Sequence, residues 1–171
     1  MKLKKAVEQA ACILILLATQ DHQIPLSTDE ISDRLEVSPS YLKKITRRLV
    51  VKDIITSVSG NKGGISLAKD LNEISVLDVI EAVEGPIEMF KDTGLINFVF
   101  EGGKFTEKGN NILHHLFHHA DKLLIDYFST VTLADLMDEV FDSSSIPKIN
   151  WNDMSLSEFL QQGKGENNED V

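Results

Sequence analysis

Lys43, Lys44 and Arg47 stand at i, i+1 and i+4 within PSYLKKITRRLVV, residues 39–51. Wound as a helix at about 100° per residue, these cations share one face with Ser40, while Leu42, Ile45 and Leu49 share the opposite face. A helix with an apolar back and a cationic front neutralises phosphates and offers hydrogen-bond donors to base edges. The plain alternative is a solvated basic face. Two neighbours argue against it. A helix precedes after a short turn, the spacing of a helix-turn-helix. A hairpin with a Gly60-Asn61-Lys62-Gly63-Gly64 tip follows. The candidate DNA-contacting set is therefore Ser38, Ser40, Tyr41, Lys43, Lys44 and Arg47, with Asn61 and Lys62 from the wing. Arg48 lies about 80° from the centre of the face and is left outside the set.

Other residues could carry chemistry but are less well supported. His114, His115, His118 and His119 form an HHLFHH run, and His114 and His118 have the i, i+4 spacing of a helical metal pair. Two ligands are few, so a solvated face is the simpler reading, with metal or pH sensing as the alternative. Cys12 is the single cysteine, which excludes an intramolecular disulfide. Its apolar neighbours predict a buried, inert thiol, with redox sensing as the alternative. No Gly-Lys-Ser/Thr phosphate loop, nucleophile motif or metal triad is present, so the sequence does not point to an enzyme and implies no cofactor.

Charge separates the two ends of the chain. The net charge is −10, yet residues 1–70 carry eleven Lys/Arg against eight Asp/Glu, and residues 71–171 carry six against nineteen. The first part suits a polyanion and the second repels it, which orients the molecule. An acidic chain also suits a winged-helix module that binds proteins and not DNA; clustering of the cations on one helix favours DNA. The apolar run Ala10 to Ala18 is too short to span a bilayer and no cleavage-type signal follows it. A cytoplasmic location without membrane contact is expected.

The elements that must position these residues can be traced along the chain. A nearly all-apolar helix over 5–19 reads as deeply buried. Ser27 with Glu30 forms a capping box for a helix to about Leu35. Glu36-Val37 turns the chain; Ser38 caps and Pro39 opens the basic helix, which runs to about Val51. Ile54–Ser59 and Ile65–Ala68 are the wing strands. Ser75 and Asp78 cap a helix that Gly85-Pro86 ends. Leu95–Phe100 reads as a short strand and Gly102-Gly103 as a turn. Thr106 caps the longest helix, to about Ser129, whose apolar stripe has little core left to cover. Leu113, Leu116, Phe117, Ala120, Leu123, Leu124 and Tyr127 are its candidate dimerisation residues, packing inside one chain being the alternative. A short helix over 132–141 and a linker over 143–152 follow. Ser155 and Glu158 cap a last turn in which Leu156, Phe159 and Leu160 can dock, and the acidic tail 163–171 reads as disordered. The fold class is mainly α with a small β-hairpin wing. It divides into a winged helix-turn-helix domain (1–85), a connector with dimerisation helix (86–141) and a C-terminal linker, short helix and tail (142–171).

Several stretches resemble the Rrf-type family of bacterial winged helix-turn-helix transcription regulators, which includes IscR, NsrR and CymR. They are Ser38-x-x-Tyr41-Leu42, Ser57-Val58-x-Gly60, Gly63-Gly64-x-x-Leu67-Ala68 and the run from Ile74 to Gly85, with Thr132–Leu136 matching the segment after the dimerisation helix. The resemblance spans about residues 3–137. It implies a homodimeric repressor on a partly palindromic double-stranded DNA operator. Many members hold an iron–sulfur cluster through three cysteines between the wing-side helix and the dimerisation helix; here residues 86–105 contain none. Glu8 stands near where some members supply an acidic ligand. The resemblance thus implies a cluster-free branch, whose effector is open.

Overall fold

The computed structural model describes residues 3–21, 24–60, 63–141, 146–155, 157–158 and 161. Asn61, Lys62, Leu156, Phe159, Leu160 and the tail 163–171 lie outside them. The described chain is mainly helical: α1 (Lys5–Thr19), α2 (Thr28–Arg34), α3 (Pro39–Val51), β1 (Ile55–Val58), β2 (Gly64–Leu67), a 3-10 turn (Leu71–Glu73), α4 (Val76–Glu84), α5 (Leu95–Val99), α6 (Lys104–Thr130) and α7 (Leu133–Val140).

One core gathers the first half of the chain. Ala10, Ile13, Leu14 and Leu17 of α1 meet Ile31 of α2, Leu42, Ile45 and Leu49 of α3, and Val79 and Val83 of α4. The strands pair antiparallel with Ile55 opposite Leu67 and Val58 opposite Gly64. Ile65 points into the core and also exchanges two 2.9 Å backbone hydrogen bonds with Leu26, so the wing's base is stitched to the segment before α2. A Cβ on Gly64 would collide with the Leu26 carbonyl, so only glycine permits that approach.

Two capping boxes stand side by side. Ser75 and Asp78 close the start of α4; Thr132 and Asp135 close the start of α7. Val76 donates to Val131 (2.8 Å) and Leu133 donates to Ile74 (2.9 Å), joining the end of α6 to the start of α4.

Several expectations need correction. Leu95–Val99 is a helix, not a strand: Gly94 (φ 75°) starts it, Asn97 accepts from Asn110 Nδ2 (3.2 Å), and no strand pairs with it among the described residues. The longest helix begins at Lys104 behind Gly103, and Thr106 Oγ1 donates to the Gly102 carbonyl (3.0 Å) instead of capping. Ser27 caps α2 through the Asp29 N–H (3.2 Å), but its own N–H is taken by Asn152 Oδ1 (2.8 Å). Glu30, released from the box, pairs with Arg34 at 2.6 Å. α1 is not buried all round: Glu8, Cys12 and Ile15 form an exposed strip, so the Cys12 thiol meets solvent.

The largest departure is the segment read as a linker. Ile149 and Trp151 belong to the core. Ile149 pairs in parallel with Gln20, donating to the Thr19 carbonyl (2.8 Å) and accepting from the Asp21 N–H (3.0 Å). Trp151 Nε1 donates to Thr19 Oγ1 (2.8 Å), and the Arg34 guanidinium sits 4.7 Å from its ring centroid. Residues 146–154 thus form a strap across the ends of α1 and α2 of the same chain.

Candidate nucleic-acid interface

The turn between α2 and α3 is tight because Glu36 takes a positive φ of 51° and Val37 donates back to the Ser32 carbonyl (3.0 Å). Ser38 then caps α3 by accepting from the Tyr41 N–H (3.3 Å), and Pro39 occupies the first turn. Leu42, Ile45 and Leu49 are buried, which fixes the roll of the helix and turns Lys43, Lys44 and Arg47 to solvent.

These three cations make no side-chain hydrogen bond or ion pair among the described residues. Their neighbours in sequence are engaged. The Arg48 guanidinium donates to the Val83 carbonyl at the end of α4, Lys52 faces Glu81 (3.4 Å), and Lys4 meets Glu84 (2.7 Å). Cations that hold the fold have partners; those on the front of α3 have none among the described residues. Ser40 is exposed, 3.1 Å from the Ser38 hydroxyl. Tyr41 is exposed but tethered: its phenol donates to the buried Gln9 side chain of α1 (3.1 Å). That bond braces α3 against α1, and the sequence carries no local signal for it. On the wing, Thr56, Ser57 and Val58 are exposed beside α3.

Away from this face, α6 divides the candidate dimerisation residues. Leu113, Phe117, Ala120 and Leu124 turn inward and are half-buried; Phe117 stacks on Phe90 with centroids 5.0 Å apart. Leu116, Leu123 and Tyr127 turn outward, 60%, 59% and 63% exposed. Phe105 and Ile112, absent from the candidate set, extend the outward stripe. Asp121 is buried on the inward face and accepts from the Met89 N–H (3.0 Å). Of the histidines, His114 stands 3.8 Å from Asp92 and edge-on to Phe90, while His118 is exposed. Among the described residues no three His, Cys, Asp or Glu side chains gather as a metal site. No described helix is long and apolar enough to cross a membrane.

A helix-turn-helix with an uncompensated cationic front, flanked by a hairpin wing, defines a winged helix-turn-helix transcription regulator. Comparison with known proteins gives the family. The pattern of the Rrf2 family, described as "Iron-dependent Transcriptional regulator", matches residues 3–139, and the chain belongs to that family. It is 47% identical over 102 residues to YwgB of Bacillus subtilis (strain 168), an HTH-type transcriptional regulator by name; that match covers 60% of this chain and 65% of the relative. It is 36% identical over 140 residues to the similarly named YffB of Lactococcus lactis, covering 81% and 88%. It is 32% identical over 127 residues to the regulator IscR of Photobacterium profundum, covering 74% and 69%. The fold is that of CymR, the global cysteine regulator of B. subtilis, with a TM-score of 0.59 at 22% identity over 80% of this chain and 95% of that one. The protein is a DNA-binding transcriptional regulator and not an enzyme.

Proposed function

We propose that the protein is a homodimeric repressor that presents α3 of each copy to successive major grooves of a partly palindromic operator. The observation that carries this reading is the front of α3, where Lys43, Lys44 and Arg47 stand exposed and unpaired in a chain of net charge −10. Ser40 and Tyr41 are near the start of α3, where residues reach base edges first. Arg47 suits bidentate contact to guanine and the lysines suit phosphates. Asn61 and Lys62 at the wing tip would touch the backbone or the minor groove. Two copies would join through the outward stripe of α6, covering Leu116, Leu123 and Tyr127. A dimer seated over promoter DNA represses by occupying it.

An iron–sulfur cluster does not fit this chain. Such clusters are held chiefly by cysteine thiolates, and residues 86–105, between α4 and α6, contain none. Cys12, the single cysteine, lies on an exposed strip of α1.

The test is titration of DNA from upstream of the protein's own gene by fluorescence anisotropy at several salt concentrations, with the mass read by sedimentation. A logarithmic salt slope of about −0.9 per phosphate neutralised, at twice the chain mass, is expected. Salt-independent binding, or a single-chain mass at micromolar concentration, overturns the reading. A promoter–reporter fusion that rises when the gene is deleted establishes repression; one that falls refutes it.

A further inference from the structure

An open cleft of about 660 Å³ lies between the end of α1, the base of the wing and the strap, within the size range of small-molecule sites. Leu17, Leu67, Leu71 and Ile146 give it an apolar part, and polar groups make up nearly as much of its surface. Most of these polar groups are already committed. Lys148 Nζ donates to the Ala18 carbonyl (3.0 Å) and feels the charge of Asp21. Gln20 gives its amide to the Ile24 carbonyl (3.1 Å) and accepts from the Trp151 N–H (3.0 Å). Asp70 caps the 3-10 turn. The Ser66 hydroxyl, the Lys69 ammonium and the Asn72 amide are different. None of them has a side-chain partner among the described residues, and Ser66 and Lys69 are half-buried.

All three of these groups can donate a hydrogen bond, and one is a cation, so the uncommitted chemistry calls for an anion. The carboxylates of Asp21 and Asp70 in the same cleft disfavour a multiply charged one such as a phosphate ester. The apolar part of the lining calls for a hydrocarbon part. We propose that this cleft binds a small monocarboxylate with a short apolar body, the carboxylate on Ser66, Lys69 and Asn72 and the hydrocarbon on Leu17, Leu67 and Leu71. The position gives such a ligand a route to the DNA face. Ser66 and Leu67 belong to β2, whose Ile65 holds Leu26, while Ile146 and Lys148 belong to the strap that braces α2 through Arg34. A ligand there touches the wing, which flanks α3 on one side, and the strap, which bears on α2.

Because the site is independent of DNA recognition, its test uses no DNA. The full chain is titrated calorimetrically with 4-methylpentanoate and 3-phenylpropionate, and with their primary amides as uncharged controls. One carboxylate is expected to bind one per chain with a Kd below about 1 mM, its amide at least tenfold more weakly. Lys69→Ala is expected to weaken the carboxylate at least tenfold without shifting the melting temperature, since the Lys69 ammonium has no partner among the described residues. No saturable heat with either carboxylate overturns the proposal. So does equal binding of acid and amide, or binding that survives Lys69→Ala. Should Lys69→Ala lower the melting temperature, Asn72→Ala, at an exposed side chain, takes its place with the same criterion.

Discussion

α3 and α6 are both helices with one face turned in and one turned out, yet their outward faces have opposite chemistry. The front of α3 carries Lys43, Lys44 and Arg47, groups that water solvates well, so the helix is content in solution and its cations remain available. Its back is fully buried through Leu42, Ile45 and Leu49. The outward face of α6 carries Phe105, Ile112, Leu116, Leu123 and Tyr127, which water does not solvate favourably. On its inward face the apolar residues Leu113, Phe117, Ala120 and Leu124 are only half-buried, and the buried ones are the polar Thr106, Asn110 and Asp121. Within the outward stripe, positions 105, 116 and 127 are eleven apart, as are 112 and 123, so it runs nearly parallel to the helix axis. One face keeps its charge free for a charged partner; the other leaves apolar area uncovered for an apolar one.

The largest expected effect comes from breaking the apolar face. Leu116→Glu with Leu123→Glu places two charges in the stripe at positions already exposed, so the fold is expected to survive and the proposed pairing of two copies to be lost. Sedimentation is expected to give the single-chain mass, and operator binding to weaken by about 10²–10⁴-fold as the second half-site loses its tether. A double variant that still sediments as a dimer places the interface elsewhere. On the cationic face, Arg47→Ala or Lys44→Ala is expected to weaken operator binding by about 1–3 kcal/mol where the contact is to a base, or to reduce the salt slope by about 1 where it is to a phosphate. Arg48→Ala sharpens the contrast. Its guanidinium is bound to the Val83 carbonyl, so thermal stability falls while the salt slope stays.

The two faces were not equally legible in the sequence. Around α3 every local signal agrees: the Ser38-Pro39 cap, one apolar face, one cationic face and the glycines of the wing, one of which meets the Leu26 backbone. On α6 the apolar residues cover so wide an arc that periodicity cannot say which half faces out. Leu116 and Phe117 are equally apolar and only about 100° apart, and tertiary contacts with Phe90 decide between them. Leu95–Val99 is too short for its β-branched residues to outweigh the Gly94 start and the packing on α6. The docking of Ile149 and Trp151 rests on partners more than a hundred residues earlier, which no local pattern encodes.

That docking supplies a test of intermediate size. Trp151→Phe keeps a ring beneath Arg34 but removes the Nε1–H donor to Thr19 Oγ1. A loss of about 1 kcal/mol is expected, a fall of roughly 2–4 °C in melting temperature for a chain of this size. Operator affinity at a temperature well below melting is expected to change less, because the strap lies behind α2 and not on the front of α3. A large loss of affinity without loss of stability would show instead that the strap sets the orientation of the cationic face.

The smallest effect concerns the joint between the two regions, where the caps of α4 and α7 meet. The Thr132 N–H and hydroxyl both donate to Asp135, at 2.8 and 2.7 Å, and hold its carboxyl below the usual aspartate range. A carboxyl lowered in the folded state contributes stability that is complete above the ordinary aspartate value and is lost as pH falls through the lowered one. Asp135→Asn removes the charge but leaves an oxygen that can accept both bonds. The variant is therefore expected to melt slightly below the parent protein at neutral pH. The gap should close as pH falls through the acid range where the carboxylate protonates. Melting curves for the two proteins from neutral pH down to about pH 3 make the comparison, since an ordinary aspartate titrates near 3.9. A gap that widens on acidification would mean that this carboxylate does not cap the start of α7 in its charged form.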